Sequence, residues 1–244
     1  MRFRVIVGSL VLVLYACAAP KPAPTLNLYY SPTVRAQGNN ITILLTRPSY
    51  TGSQQLSVST NKEIGPDDTI PAIYTNDYSV RLQNAIQTDL EKILIAKGFM
   101  LARSSDPWSD STSSDMSKID FTIFTIIDFG PQVSNYQRVL HFPTGSVVVM
   151  NEGTVAFTGS LIIKFVDPLT KKTIIAKTVT MASLDADNPI EYEDLTDAEN
   201  KATELINKFY PRLLTKIEKS ISTDELLAAL TDIKTHKDKT QSAP

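Results

Sequence analysis

The sequence predicts an α+β domain: a mainly antiparallel sheet with two long helices packed on one face, plus a short C-terminal helix. Three observations carry this expectation. Residues 77–97 and 196–217 repeat apolar side chains at spacings of three and four. Between those stretches lies a run of strand-type segments, of which the hairpin over 153–184 is the clearest. Helices set apart from a run of antiparallel strands fold as two packed layers.

Each element has its own local reason. Leu26, Leu28 and Tyr30 alternate and suggest a short first strand. Ile41 to Thr46 is a β-branched run ended by Arg47-Pro48, read as a buried strand. Residues 49–76 are rich in Ser, Thr, Asn, Gly and Pro and read as an irregular excursion. In the first helix Asp77 is the candidate cap. Tyr78, Leu82, Ala85, Ile86, Leu90, Ile93 and Leu94 form the buried stripe, with Asp89 its one charged member, and Gly98 ends it. Phe99 to Ala102 reads as a short strand, and 104–118 as a Ser/Asp-rich loop around Trp108.

Ile119 to Phe129 is a strong strand with Phe121, Ile123, Thr125, Ile127 and Phe129 on one face; Gly130-Pro131 is expected to end it. Residues 132–146 are ambiguous, and Val147 to Met150 could add a short strand. In the hairpin, Leu161, Ile163 and Phe165 face the core, Asp167 to Lys172 makes the turn, and Ile174 or Ile175 sets the returning register. Thr196 with Glu199 is read as a capping box for the second long helix, in which Pro211 should kink or break the pattern. Ser222 with Glu225 repeats the capping box and starts a terminal helix through Ile233. A disordered tail is expected after Lys234.

The N-terminus carries an address. Arg2 and Arg4 precede the apolar stretch Val5 to Leu14, and Leu14-Tyr15-Ala16-Cys17 follows. This is the layout of a bacterial lipoprotein signal peptide. Cys17 would become the first mature residue and carry the acyl chains, palmitate among them. The apolar run is shorter than the roughly 20 residues of a spanning helix. The expected organisation is therefore a signal peptide over 1–16, a lipidated Pro-rich tether over 17–40, one α+β domain over 41–221, and a terminal helix with flexible tail over 222–244. Ala18 rather than an aspartate after Cys17 resembles lipoproteins passed on to the outer membrane.

Composition narrows the chemistry. Cys17 is the only cysteine, so a lipidated chain keeps no thiol for a disulfide, a zinc site or a nucleophile. Only His141 and His236 exist, too few for a histidine cluster. The formal net charge is -2, and loss of Arg2 and Arg4 makes the mature chain more acidic, which gives no basis for nucleic-acid binding. No phosphate loop, dinucleotide fingerprint or catalytic motif is present. The expectation is a protein that is not an enzyme, with no cofactor, no metal and no assigned ligand-binding residue.

Two segments are candidate sites. Asp185, Asp187, Glu191, Glu193, Asp194 and Asp197 could offer oxygen ligands to calcium, but their spacing departs from a calcium loop. A solvated loop whose last acids favour the positive end of the next helix is the preferred reading. Asn135 to Phe142 mixes Tyr136, Arg138 and His141, a set that could stack on and pair with an acidic sugar. An ordinary loop or edge strand is the preferred reading there.

Leu26-Asn27-Leu28-Tyr29-Tyr30-Ser31-Pro32, then Ile43-Leu44-Leu45-Thr46-Arg47-Pro48, resembles the start of the mature neuraminyllactose-binding haemagglutinin lipoproteins of epsilonproteobacteria. The Tyr78–Lys97 helix with Gly98-Phe99 is similar to that family's helix and Gly-aromatic step. Glu152-Gly153, Gly159, Ile163-Lys164 and Asp167-Pro168 resemble its central hairpin. The resemblance implies a lipid-anchored outer-membrane or surface protein of adhesin type, associated with adhesion or colonisation, with a host glycan or glycoprotein, or an envelope protein, as partner. That family's proposed sialic-acid site is a short basic stretch. Here the corresponding residues, about 132–142, hold Arg138 as their only Lys or Arg, so no binding residue transfers. The alternative expectation is a periplasm-facing scaffold or activator of an envelope machine.

Overall fold

The structure, a computed structural model, describes residues 24–36, 38–52, 55–59, 76–102 and 118–241. Cys17, the signal peptide and Trp108 lie outside them. The fold is mixed α/β, with a mostly antiparallel sheet and three helices among the described residues. Its strands are β1 (Thr42–Leu45), β2 (Ser49–Tyr50), β3 (Gln55–Ser59), β4 (Met100–Ala102), β5 (Phe121–His141), β6 (Val147–Val166), β7 (Thr173–Thr180) and β8 (Ile190–Tyr192). The helices are α1 (Asn76–Ala96), α2 (Leu195–Ser220) and α3 (Thr223–Gln241).

The spine is the antiparallel pair β5–β6, in register from Thr122–Val166 to His141–Val147. On the outer side of β6, β7 pairs with residues 160–166 and β8 with 153–155, both antiparallel. On the outer side of β5, β1, β2 and β3 follow one another in parallel, and β4 adds to β1 in parallel. These parallel ladders differ from the expected run of antiparallel strands. Two of them, β2 and β3, come from the stretch expected to be irregular. Beyond β3 and β8, residues 137–141 and 147–151 continue as a two-stranded arm closed by a loop over 142–146.

The odd-numbered face of β5 is the core face. Phe121, Ile123, Ile127, Phe129 and Val133 are buried there, as expected for that strand. Leu161, Ile163 and Phe165 join them, and Phe165 pairs with Ile175, which fixes the register of β7. Phe209 of α2 packs edge-on to Phe129 and Phe157, with centroids 5.8 and 5.1 Å away. Tyr78, Leu82, Ile86, Leu90, Ile93 and Leu94 of α1 enter the same cluster. The turn after β6 is closed by Asp167, whose carboxylate accepts from the Leu169 N–H at 3.1 Å and the Thr170 hydroxyl at 2.8 Å.

Gly130-Pro131 does not end β5. The Ile127 carbonyl accepts from Thr51 and Gly52, so Ile127 and, two steps on twice, Pro131 turn their backbone polar groups toward the β1–β3 edge. Pro131 falls in the gap between β2 and β3. Its partner Phe157 spends its own N–H on the Ala186 carbonyl, so the Pro131–Phe157 pair is a non-hydrogen-bonded one. Among the described residues, the missing proline donor removes no ladder bond. On β6, Gly159 takes φ +101, and a Cβ there would stand 1.9 Å from the Asp128 carbonyl oxygen, so the close pairing of the two long strands requires glycine.

The helix ends show smaller differences. α1 starts at Asn76, which places Asp77 inside the first turn. It closes as expected at Gly98, where φ is +82 and the Phe99 N–H reaches back to the Leu94 carbonyl at 3.1 Å. α2 is capped by Asp194, not by Thr196: the Asp194 carboxylate accepts from the Asp197 N–H at 2.7 Å, and Asp197 accepts from the Glu193 N–H at 3.2 Å. An aspartate accepts as well as a threonine and adds charge at the positive end. α2 also runs through Pro211 without a break. Ser222 caps α3 as expected, accepting from the Glu225 N–H at 3.3 Å, and α3 continues to Gln241, past the point where the tail was expected.

Candidate functional site

Residues 24–36 take no strand, and they are not a free tether. Leu26 and Leu28 pack on the core and Tyr30 is buried, which preserves the alternation seen in sequence without a ladder. Asn207 of α2 holds the backbone at Asn27 and Thr25, by accepting from the Asn27 N–H at 2.7 Å and donating to the Thr25 carbonyl at 2.9 Å. Glu218, 1% exposed, is the main lock. Its carboxylate accepts from the Tyr30 hydroxyl at 2.5 Å, the Thr33 hydroxyl at 2.9 Å, and the Thr33 and Val34 N–H groups, each at 2.9 Å. Burial pushes the Glu218 carboxyl up, but the bonds from Tyr30, Val34 and Thr33 outweigh it and hold the group below its ordinary value. Burial, then the bond to Glu218, pushes the Tyr30 phenol up. Farther along, the Ala36 N–H bonds to the Ala96 carbonyl and the Asn39 N–H to that of Gly98.

A second buried carboxylate joins the two long helices. Asp89, 2% exposed, accepts from the Tyr210 hydroxyl and from Lys92, each at 2.8 Å. Lys92 also stands 5.0 Å over the Tyr29 ring, which ties the N-terminal segment to the same cluster. Burial, with the Asp89 charge, raises the Tyr210 phenol far above its ordinary value. These groups are satisfied by one another and form polar ties within the fold.

The acidic residues singled out in sequence separate in space. Asp185, with φ +55, pairs with Arg212 at 3.0 Å, and Asp194 caps α2. Glu191, Glu193 and Asp197 instead line a groove of about 730 Å³ with Glu152, Gly153, Thr154, Tyr192 and Lys201. Glu152 belongs to β6 and was not singled out; the register of β8 against β6 brings it there. Among the described residues, no group of three or more His, Cys, Asp or Glu side chains is placed to hold a metal ion. Asn135 and Tyr136 still pair with β3, and residues 137–141 belong to the projecting arm; across the β5–β6 pair Tyr136 stands opposite Glu152, Arg138 opposite Met150 and His141 opposite Val147. His141 is exposed at the arm's end beside Phe142, and His236 lies in α3.

A second groove, of about 400 Å³, has no counterpart in the sequence reading. Arg47, Ser49, Phe124, Thr125, Ile126, Lys164, Val166, Lys171 and Thr173 line it. Lys164 stands directly opposite Phe124 across the β5–β6 pair. The one legible signal is that alternation in β5 and β6 sends Phe124, Ile126, Lys164 and Val166 to the face opposite the core. Among the described residues, no helix is long and apolar enough to cross a membrane.

No family model and no curated protein matches this chain. Among solved structures it is similar to a protein described as a neuraminyllactose-binding haemagglutinin homologue from Helicobacter pylori. That match has a TM-score of 0.56 and 13% identity, covering 86% of this chain and 98% of the other. Two further matches have a TM-score of 0.30. One is a Xanthomonas campestris protein of a domain family of unknown function, at 15% identity over 87% of this chain and 98% of the other. The second is a minor lipoprotein from Acinetobacter baumannii, at 12% identity over 70% and 94%. The Helicobacter likeness spans nearly all of both chains and shows that the two share a fold.

Proposed function

We propose that this chain is a lipid-anchored outer-membrane lipoprotein of adhesin-like type, exposed at the cell surface, which binds a host or envelope partner without catalysis. The observation that carries the reading is the fold shared with the Helicobacter haemagglutinin homologue, joined to the lipoprotein-type sequence around Cys17. In this reading Cys17 carries the acyl chains, and two or more chains anchor stably. In this reading the core cluster that α1 and α2 share with the odd-numbered residues of β5 leaves the other sheet face and the two-stranded arm for a partner.

Labelled palmitate should enter the native chain and not Cys17→Ser. Equal labelling of both would remove the anchor. Protease shaving of intact cells then tests the face: loss of the domain supports surface exposure. Protection on intact cells with digestion after permeabilisation would instead place it in the periplasm and favour a scaffold or activator of an envelope machine.

A further inference from the structure

The groove over Phe124 and Lys164 points to a ligand. Its floor is apolar, built from Phe124, Ile126 and Val166 on the sheet face opposite the core. Three cations surround that floor: Arg47 from the segment after β1, Lys164 from β6 and Lys171 from the hairpin turn. Ser49 and Thr173 add hydroxyls, and among the described residues no carboxylate lines the groove. This occurs in a chain whose formal net charge is -2. Among the described residues, neither Arg47 nor Lys164 forms an ion pair.

These cations come from separate segments that the fold must bring together. β2 runs beside Ile126 and Ile127, which sets Arg47 and Ser49 along the β5 edge. The Asp167–Lys172 turn returns Lys171 and Thr173 to the end of β6. Arg47 and Lys164 line one groove, and like charges facing the same space repel one another unless an anion lies between them. A bare anion would satisfy the charges and leave the floor wet. An uncharged apolar chain would cover the floor and leave the repulsion. Only a ligand with both parts matches both features, and a guanidinium offers a phosphate two parallel donors.

We propose that this groove binds the phosphorylated head group of an anionic membrane lipid. The phosphate would sit between Arg47 and Lys164, with the first part of an acyl chain on Phe124 and Ile126. The site does not depend on which side of the membrane the domain faces, so it stands or falls apart from the adhesin reading.

Calorimetric titration of the full chain, held in amphipol, tests this with dioctanoyl phosphatidic acid, dioctanoyl phosphatidylcholine, inorganic phosphate and sialyllactose as probes. Phosphatidic acid should bind saturably and at least about tenfold more tightly than the other three. R47E/K164E should weaken it about tenfold or more, whereas K201E, a charge reversal at the acidic groove, should leave it unchanged. Phe124→Ser should weaken phosphatidic acid and not phosphate. Circular dichroism and an unchanged urea midpoint would show that R47E/K164E, altered at an exposed arginine and a half-buried lysine, remains folded. Equal affinity for phosphate and phosphatidic acid, tighter binding of sialyllactose, or identical titrations of native and R47E/K164E chains would each overturn the proposal.

Discussion

Glu218 shows how one residue fixes the N-terminal segment. Removing its carboxylate leaves the buried Tyr30 hydroxyl without its acceptor and the part-buried Thr33 and Val34 N–H groups to water. An unsatisfied buried donor costs about 1–3 kcal/mol, so Glu218→Ala should destabilise the fold by an amount in that range. Glu218→Gln should fall between, because its amide oxygen can still accept while its NH2 opposes the surrounding donors. Urea unfolding measures both, and a loss under about 0.5 kcal/mol for the alanine variant would show that the lock does not form. The same carboxylate predicts a pH dependence. Its pKa is lower in the folded chain than the ordinary 4.5, so the unfolded chain takes up this proton more readily. The stability it contributes is complete above about pH 4.5 and is lost as pH falls through the folded value. The urea midpoint of the native chain should therefore drop more steeply below that pH than the midpoint of Glu218→Gln. Parallel curves would assign the acid sensitivity to other carboxylates.

Strand β5 makes the corresponding point for a whole element. Proline is tolerated in a sheet where its nitrogen faces no ladder partner, and among the described residues Pro131 meets that condition on the β1–β3 side. Pro131→Ala should change stability by less than about 1 kcal/mol. One residue on, Gln132 turns toward β6, opposite Ala156, where alternation makes the pair a hydrogen-bonded one. Gln132→Pro should therefore cost about 3 kcal/mol. Similar denaturation midpoints for the two variants would contradict the assigned strand orientation. This is also where the sequence was hardest to read. Local rules located α1, the hairpin over β6 and β7, the Asp167 turn and the Ser222 cap, because each depends on neighbours within a few residues. Whether Gly-Pro stops a strand depends on what runs beside it, and β2 and β3 are distant in sequence. The grooves share that dependence: Glu152 meets Glu191, and Arg47 meets Lys164, only through strand pairing.

At the scale of the whole molecule, the N-terminal lock sets how far the domain can stand from a membrane. The tether expected from the sequence spans Cys17 to residue 40, a contour of roughly 80 Å at full extension. The structure shortens it, because Asn207 already holds the backbone at Thr25 and Glu218 holds it again at Thr33 and Val34. Eight steps separate Cys17 from Thr25, which bounds the reach at roughly 28 Å. If Cys17 is lipidated as proposed, the domain lies close to the lipid surface and its orientation is restricted. Freeing the segment as far as Ala36, where it bonds to Ala96, would raise the bound to roughly 65 Å. The variant Asn207→Ala with Glu218→Ala removes both holds and leaves Cys17 untouched. Neutron reflectometry of the lipidated protein on a supported bilayer should find the native domain in a thin layer against the head groups. The variant, once circular dichroism shows it folded, should form a thicker and more diffuse layer. An unchanged layer would mean that the apolar packing of Leu26, Leu28 and Tyr30, or surface contacts of the domain, and not the polar bonds of Asn207 and Glu218, hold it at the membrane. Greater reach would favour a partner far from the lipid, whereas the short tether favours one within a few tens of ångströms of it.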